Sequence, residues 1–465
     1  MLFSSITFLY CFLPCVLLMY FVAPDRMKNL VLLLSSLFFY GWGEPKFLVF
    51  MLVSVTQSYI AALLIERFFK TKIAKLAFVL SAVASLGLLA YCKYADFFIE
   101  NFNVLTGLSV PLLKVALPVG ISFYTFQILS YVIDVYRGDV PAQRNFIDLA
   151  MYIAMFPQLI AGPIVRYSDI AKSLKGRKTT VEDASMGMVR FSVGLAKKIL
   201  LANSAALIVS EFKAFSEKTV LFYWLYAAAY MLHIYFDFSG YSDMAIGLGR
   251  IFGFRFSENF NYPYISASIT EFWRRWHISL GGWFRDYLYI PLGGNQVKPL
   301  RHIFNIVVVW AATGFWHGAS WNFILWGLLY AVLLLFEKYV LPPKFRFAVP
   351  MHIYTLLFIV LGFVLFDSAS VGEALQCFKA MFGLAGIPAA NTASLYYFRS
   401  NLVLLLVAVI GATPLPKRIY EKIGETAVGG RILGVLTPSA AVASVAVCTA
   451  YLIDGSFNPF VYFRF

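Results

Sequence analysis

"HIFNIVVVWAATGFWHGASWNFILWGLLYAVLLLF" runs from His302 to Phe336 and decides the fold. Two apolar arms flank a short break, HGAS, at His317–Ser320. Arg301 precedes the first arm, and Glu337, Lys338, Lys344 and Arg346 follow the second. With basic residues at both outer flanks, the arms read as a hairpin whose ends lie on one side of a membrane. Arms of about 15 residues make roughly 22 Å of helix, less than a hydrocarbon core of about 30 Å. His317 is therefore expected inside the membrane thickness.

The rest of the chain agrees with a membrane setting. It has 465 residues, 60% hydrophobic and 13% charged, where a soluble domain is nearer half apolar and a quarter charged. "FLYCFLPCVLLMYFVA" (Phe8–Ala23) and "NLVLLLSSLFFYGW" (Asn29–Trp42) have the density of spanning segments. The first lacks a basic leader and a small-residue cleavage site, and a second apolar run follows at once, so it reads as a retained helix rather than a secretory signal. Net charge is +14. Lys and Arg collect in short loops between apolar runs, which the positive-inside rule explains without nucleic acid. The five cysteines show no CxxC pair and no metal-ligand spacing, so they read as packing residues and no metal is expected.

Loop charge orients the chain. "APDRMKN" (Ala23–Asn29) and "ERFFKTKIAK" (Glu66–Lys75) are basic, whereas "GWGEPK" (Gly41–Lys46) between them is nearly neutral. Both termini are then expected outside the cytoplasm. "FIDLAMYIAMFPQLIAGPIV" (Phe146–Val165) lies between two basic loops and contains Pro157, Gly162 and Pro163. It is expected to enter and leave on one side, as a broken, re-entrant segment. The expected fold is an all-α polytopic membrane protein, without soluble domain, repeat or heptad. Residues 1–465 form a single domain: N-terminal helices over 1–110, a core over 111–340, and C-terminal helices with an aromatic tail over 341–465.

The segment "ITEFWRRWHISLGGWFRDYLYIPLGGN" (Ile269–Asn295) is too charged to span. Trp273, His277, Leu280, Phe284 and Leu288 share a helical stripe, with Glu271, Arg274, Arg275, Arg285 and Asp286 off it. The segment is expected to lie at the interface, broken at Gly281–Gly282. Its arginines suit lipid phosphates. His277 is the oddity, since a leucine would be cheaper to bury on that stripe. In "HIYFDFSGYSDMAIGLGRIFGFRF" (His233–Phe256), Asp237 and Asp243 flank an expected turn at Gly240. Two readings stay open for them: polar groups facing a cavity, or an interfacial cap with Asp243 at a helix N-terminus.

His317 has no charged neighbour in sequence. Desolvation disfavours the imidazolium, and a neutral imidazole can take a proton from a hydroxyl. At membrane depth a functional role outweighs that of a satisfied core histidine. Gly314, Gly318, Ala319 and Ser320 leave room for a substrate or for a second backbone. The tail "DGSFNPFVYFRF" (Asp454–Phe465) suits an aromatic belt at the outer interface, and Tyr462 is a hydroxyl within it.

These stretches, with "PVGISFYTFQILSYVIDVYRG" (Pro118–Gly138), "FPQLIAGPIVRY" (Phe156–Tyr167) and "YFDFSGYSDMAIGLGRIFGFRFSENFNYPY" (Tyr235–Tyr264), together resemble the membrane-bound O-acyltransferase family. The likeness is to its bacterial branch that acetylates alginate, peptidoglycan and exopolysaccharides; teichoic acid D-alanyl transfer is a more distant cousin. The resemblance covers most of the chain in order. "SLGGW" at Ser279–Trp283 departs from it, with a Gly pair at positions that differ in many relatives.

The resemblance implies about eleven transmembrane helices, plus re-entrant and interfacial helices, around a central tunnel in a bacterial inner membrane. It implies acyl transfer to a polysaccharide outside the cytoplasm. Acetyl-CoA is the expected donor substrate, with no bound cofactor, and Arg274, Arg275 and Arg285 are candidates for its phosphates. His317 corresponds to the family's invariant histidine and His277 to its second. Tyr462 is implied as an acyl relay. A periplasmic or membrane-anchored acetyltransferase- or esterase-like partner would complete the transfer. The competing class is a transporter or flippase, which intramembrane His and Asp also suit; a third is a scaffold for an envelope complex.

Overall fold

The computed structural model describes residues 1–43, 45–341 and 348–454. Tyr462, Lys344 and Arg346 lie outside the described residues. The described chain is helical, with no strand. Six helices are long and apolar enough to cross a membrane, and a bent pair, Thr392–Ser400 with Leu402–Gly411, would make seven. The further crossings in a count of about eleven would come from shorter apolar helices such as Phe8–Val22.

The polarity of burial is that of a membrane protein. In the helix Lys72–Lys93, Ala74, Ala77, Ser81 and Ser85 face inward, while Leu76, Leu80, Val83 and Leu86 are exposed. Small and hydroxyl-bearing residues let helices approach where lipid removes the usual drive to bury leucine. Gln57 on the neighbouring helix Phe47–Arg67 donates to Ser85 Oγ at 2.9 Å. The helix Ala427–Ile453 is the extreme case, apolar and almost wholly exposed. This is a multi-pass membrane protein.

The chain forms two compact units. The first comprises Met1–Phe191 with Met244–Ser257. Its core is aromatic: Phe3, Phe8, Phe12, Phe39 and Phe156 meet at ring separations of 4.8–6.2 Å. Arg177 ties its segments together, donating to Tyr20 OH, the Phe252 carbonyl and Asn29 Oδ1. Phe146–Val165 is broken, as its prolines require, and is buried from Leu149 onward. The helix Phe146–Ala154 ends at Met155, and a single turn, Phe156–Leu159, follows. The return leg doubles back, with Tyr152 OH donating to the Val165 carbonyl at 2.9 Å. Gln143 Nε2 donates to Tyr167 OH at 3.2 Å, so the two ends meet.

The second unit comprises Ser192–Asp243 with Glu258–Phe465. Its centre is the expected hairpin, formed by the helices Pro299–His317 and Trp321–Tyr339. Each has 19 residues, about 28 Å, longer than the apolar pattern alone suggests because Pro299 starts the first helix a turn early. The arms touch backbone to backbone. A Cβ on Gly327 would strike the Trp310 carbonyl oxygen and come within 3.2 Å of Gly314 Cα. A Cβ on Gly314 would likewise strike the Phe323 carbonyl. The room left by Gly314 thus admits a second backbone.

Two local expectations are corrected. The helix Val220–Ile251 is continuous over 32 residues, with no turn at Gly240. Gly240 instead admits a neighbouring helix: its Cβ would lie 2.7 Å from the Gly194 carbonyl oxygen. The interfacial segment breaks at His277, not at Gly281–Gly282, which lie inside the helix Ile278–Phe284.

Substituting Gly327 by Ala should lower the melting temperature of the detergent-purified protein, at a cost of about 1–3 kcal/mol for overpacking. An unchanged melting curve would show that the arms can separate freely.

Candidate functional site

His317 ends the first arm of the hairpin. Gly318 leaves the helix in extended backbone, and Ser320 leads into the second arm. Asn322 Nδ2 donates to the Ser368 carbonyl at 2.8 Å, fixing this turn to the end of the helix Ala348–Asp367. The imidazole is 5% exposed and stands edge-to-face in an aromatic cage. Its ring centroid lies 5.0 Å from those of Trp316 and Trp326 and 5.3 Å from that of Phe366. The close arms set this cage, because Trp326 adjoins Gly327.

His277 arrives from the other segment. The helix Ile269–Arg275 is anchored at its N-terminus by Glu337, on the second hairpin arm. The buried carboxylate accepts from the backbone N–H groups of Ile269 and Thr270 and from Thr270 Oγ1. A carboxylate there satisfies otherwise orphaned donors and complements the helix dipole. Ser268 Oγ accepts from the Glu271 N–H at 3.0 Å. After Trp276 the backbone turns left-handed at His277, φ 47°. The His277 ring packs on Phe238 at 4.7 Å and faces Trp316 at 6.2 Å. One indole, Trp316, therefore neighbours both histidines. Burial pushes the His277 imidazole down to about 3, so it is neutral at any ordinary pH.

Around this pair sit polar groups within an aromatic wall. Trp273 packs on Trp326 at 5.5 Å and on Tyr330 at 4.8 Å. The indole N–H groups of Trp273 and Trp326 and the Tyr330 hydroxyl find no hydrogen-bond partner among the described residues. Three buried donors in one wall are costly to maintain.

The three arginines divide. Arg275 is bound to Glu271 at 2.8 Å and also donates to the Asn261 carbonyl. Arg285 pairs with its neighbour Asp286 at 2.6 Å. Arg274 makes no ion pair among the described residues and lines a cavity of about 500 Å³ with Glu271, Thr270, Glu337 and Lys338. Asp237 and Asp243 lie mid-helix and meet lysines: Asp237 pairs with Lys198, both fully buried, and Asp243 with Lys197 at 2.7 Å. Sequence reasoning read Glu337 only as a charged flank and passed over Lys198 and Asn259. A carboxylate at the end of an apolar arm was the one signal available.

The model of "MBOAT, membrane-bound O-acyltransferase family" matches residues 141–366, which include both histidines. The chain is 38% identical over the full length of both proteins to "Probable alginate O-acetylase AlgI" of Azotobacter vinelandii. The chain belongs to the membrane-bound O-acyltransferase family. It is also 35% identical to the "Peptidoglycan O-acetyltransferase" of Helicobacter pylori, over 89% of this chain and 86% of that protein. Similarity to the "Teichoic acid D-alanyltransferase" of Bacillus subtilis is 31% over 52% of this chain and 65% of that one. The protein is thus an acyltransferase.

The depressed His277 predicts a pH effect on stability. Its folded value, about 3, is below the free value of about 6.5. The unfolded chain therefore binds a proton first, and the contribution is complete above pH ~6.5 and lost as pH falls towards 3. Melting temperature should fall between pH 7 and pH 5, and less steeply in His277→Gln. Parallel curves for the two proteins would contradict a buried neutral ring.

Proposed function

We propose that this protein carries an acetyl group from a cytoplasmic thioester, acetyl-CoA, to a hydroxyl destined for an envelope polysaccharide outside the cytoplasm, such as alginate, peptidoglycan or another exopolysaccharide. The contact of His277 and His317 with one shared indole, Trp316, in a family of acyltransferases, carries the reading. The names of the relatives support acetyl as the group and a polysaccharide as the acceptor. The protein sits in a bacterial inner membrane with both termini outward, which gives a donor-side and an acceptor-side face to one catalyst.

In this scheme the donor's phosphates lodge in the cavity lined by Arg274 and Lys338, where charge-assisted hydrogen bonds are strongest. His317 takes the proton of the acceptor hydroxyl, whose oxygen attacks the thioester carbonyl. The tetrahedral intermediate expels the thiolate, which recovers the proton as thiol. His277 positions the donor or assists that proton transfer. Tyr462 is proposed as a first acceptor, from which an outer esterase-like partner passes the acetyl group to sugar. D-alanyl transfer is the second reading, supported by the Bacillus subtilis relative. A transporter would act without an acyl donor, so transfer of labelled acetyl in proteoliposomes separates that class.

His317→Ala should reduce labelled acetyl transfer at least ~100-fold, the usual contribution of a general base, at unchanged protein level. Retained transfer would remove His317 from the scheme. Arg274→Ala should raise KM for acetyl-CoA roughly 10-fold, as expected for a lost hydrogen bond to a charged group, with kcat little changed. Tyr462→Phe should abolish polymer acetylation if the relay operates, and intact acetylation would delete that step alone.

A further inference from the structure

His277 has a side chain whose role depends on which ring nitrogen carries the proton, and its surroundings decide this. Asn259 is fully buried in the loop before the helix Ile269–Arg275. Its backbone is gripped from both sides: the Asn259 carbonyl accepts from Ile278 N–H at 3.0 Å, and Asn261 N–H donates to the Arg275 carbonyl at 2.9 Å. The ring of Phe260 packs on Trp276 at 5.1 Å and on Phe238 at 4.9 Å. The Asn259 backbone is therefore held in place by its neighbours.

Its oxygen sits at a junction. Asn259 Oδ1 lies 3.2 Å from Ser279 N, 2.9 Å from Ser279 Oγ and 3.3 Å from His277 Nδ1. The helix Ile278–Phe284 has no side-chain cap from its own N-cap residue, since that residue is His277 in left-handed backbone. Asn259 supplies the cap from another segment, satisfying donors that a helix start leaves open. A non-glycine residue in the left-handed region costs free energy and persists where neighbours over-determine it. Asn259 is one neighbour that does so, through its carbonyl to Ile278 N–H and its side chain to Ser279.

The same junction assigns the tautomer. A backbone N–H can only donate, so the Asn259 atom facing Ser279 N is the amide oxygen and not the nitrogen. An amide oxygen can only accept, so the ring nitrogen facing it must donate. The proton of the neutral His277 ring is then on Nδ1, and Nε2 carries the lone pair. We propose that Asn259 is a positioning residue that locks His277 as its Nδ1–H tautomer, so that Nε2 acts as an acceptor in the acyl-transfer site. The inference rests on His277 belonging to that site, and it separates two roles. With Nε2 as acceptor, His277 takes or orients a proton from an O–H or S–H group. It does not donate to a thioester carbonyl oxygen, which would require the other tautomer.

The test uses the full-length protein in nanodiscs with 15N-labelled histidine rings. The chain has five histidines, and the His277 resonances are those missing in His277→Gln. The wild type should show the proton on Nδ1. Asn259→Leu should move it to Nε2 or to a mixture, and lower kcat roughly 10–100-fold, the scale of a lost orientation, with KM for the donor within about twofold. Asn259→Asp, which keeps an acceptor oxygen, should restore Nδ1–H. Ser279→Ala, which removes the hydroxyl at the junction and leaves the His277 bond, should leave the tautomer unchanged. A wild-type proton on Nε2, or Nδ1–H retained in a folded Asn259→Leu protein, overturns the proposal. If Asn259→Leu does not fold, the wild-type and Asn259→Asp spectra still decide it. Because the spectra need no turnover, an inactive His317→Ala protein gives the same answer, and failure of the acetyl-transfer reading is read separately.

Discussion

Two helices in this protein touch at their backbones, and the site follows from that contact. Gly314 and Gly327 bring the hairpin arms so close that a single Cβ at either position meets a carbonyl oxygen. Close approach of small residues is how helices gain contact in lipid, where burying leucine offers no advantage. Here it also sets a register. Trp316 and His317, two and three residues past Gly314, then meet Trp326, which adjoins Gly327. A looser hairpin would leave the imidazole without its edge-to-face wall.

The second histidine is held by supports that come from elsewhere in the chain. Glu337 anchors the helix leading to it, and Asn259 caps the helix leaving it. Glu337 belongs to the arm that also carries Trp326. The hairpin therefore positions both imidazoles, one through its apex and the other through the far end of its second helix. This explains why a strained residue, His277 at φ 47°, is tolerated between two short helices. Strain of this kind persists when the surrounding structure fixes it and gathers at functional sites.

Much of this was legible in the chain. The hairpin could be read because its arms are apolar, its flanks charged and its break short. His317 and His277 could be singled out because a histidine on an apolar face is expensive. The break at Met155 could be expected from Pro157. What escaped reading depends on partners distant in sequence. Asp237 and Asp243 looked like a cap or cavity lining, whereas their partners, Lys198 and Lys197, lie some 40 residues earlier on another helix. Gly240 looked like a turn because the helix it admits, through Gly194, is invisible locally. Gly281–Gly282 looked like the break because helix propensity counts against glycine. The cap from Asn259 overrides that propensity and moves the break to His277.

The ion pairs of the second unit have a consequence for the chemistry. Asp237, Asp243 and Asp367 each meet a lysine, and Asp367 also accepts from Tyr226 OH at 2.5 Å. Arg275 and Arg285 are likewise matched by Glu271 and Asp286. A buried pair is weak evidence for stability, since desolvation offsets much of the attraction. Its effect on the field is clearer: a matched pair acts as a dipole, and its influence falls off faster with distance than that of a lone charge. Both imidazoles pack against aromatic rings. Arg274 is the exception among the three arginines, facing a cavity with Lys338 beside it. An arginine without an ion pair among the described residues, at a cavity that Glu271 and Glu337 also line, suits an anionic donor whose phosphates meet Arg274 and Lys338 and keep clear of the two carboxylates.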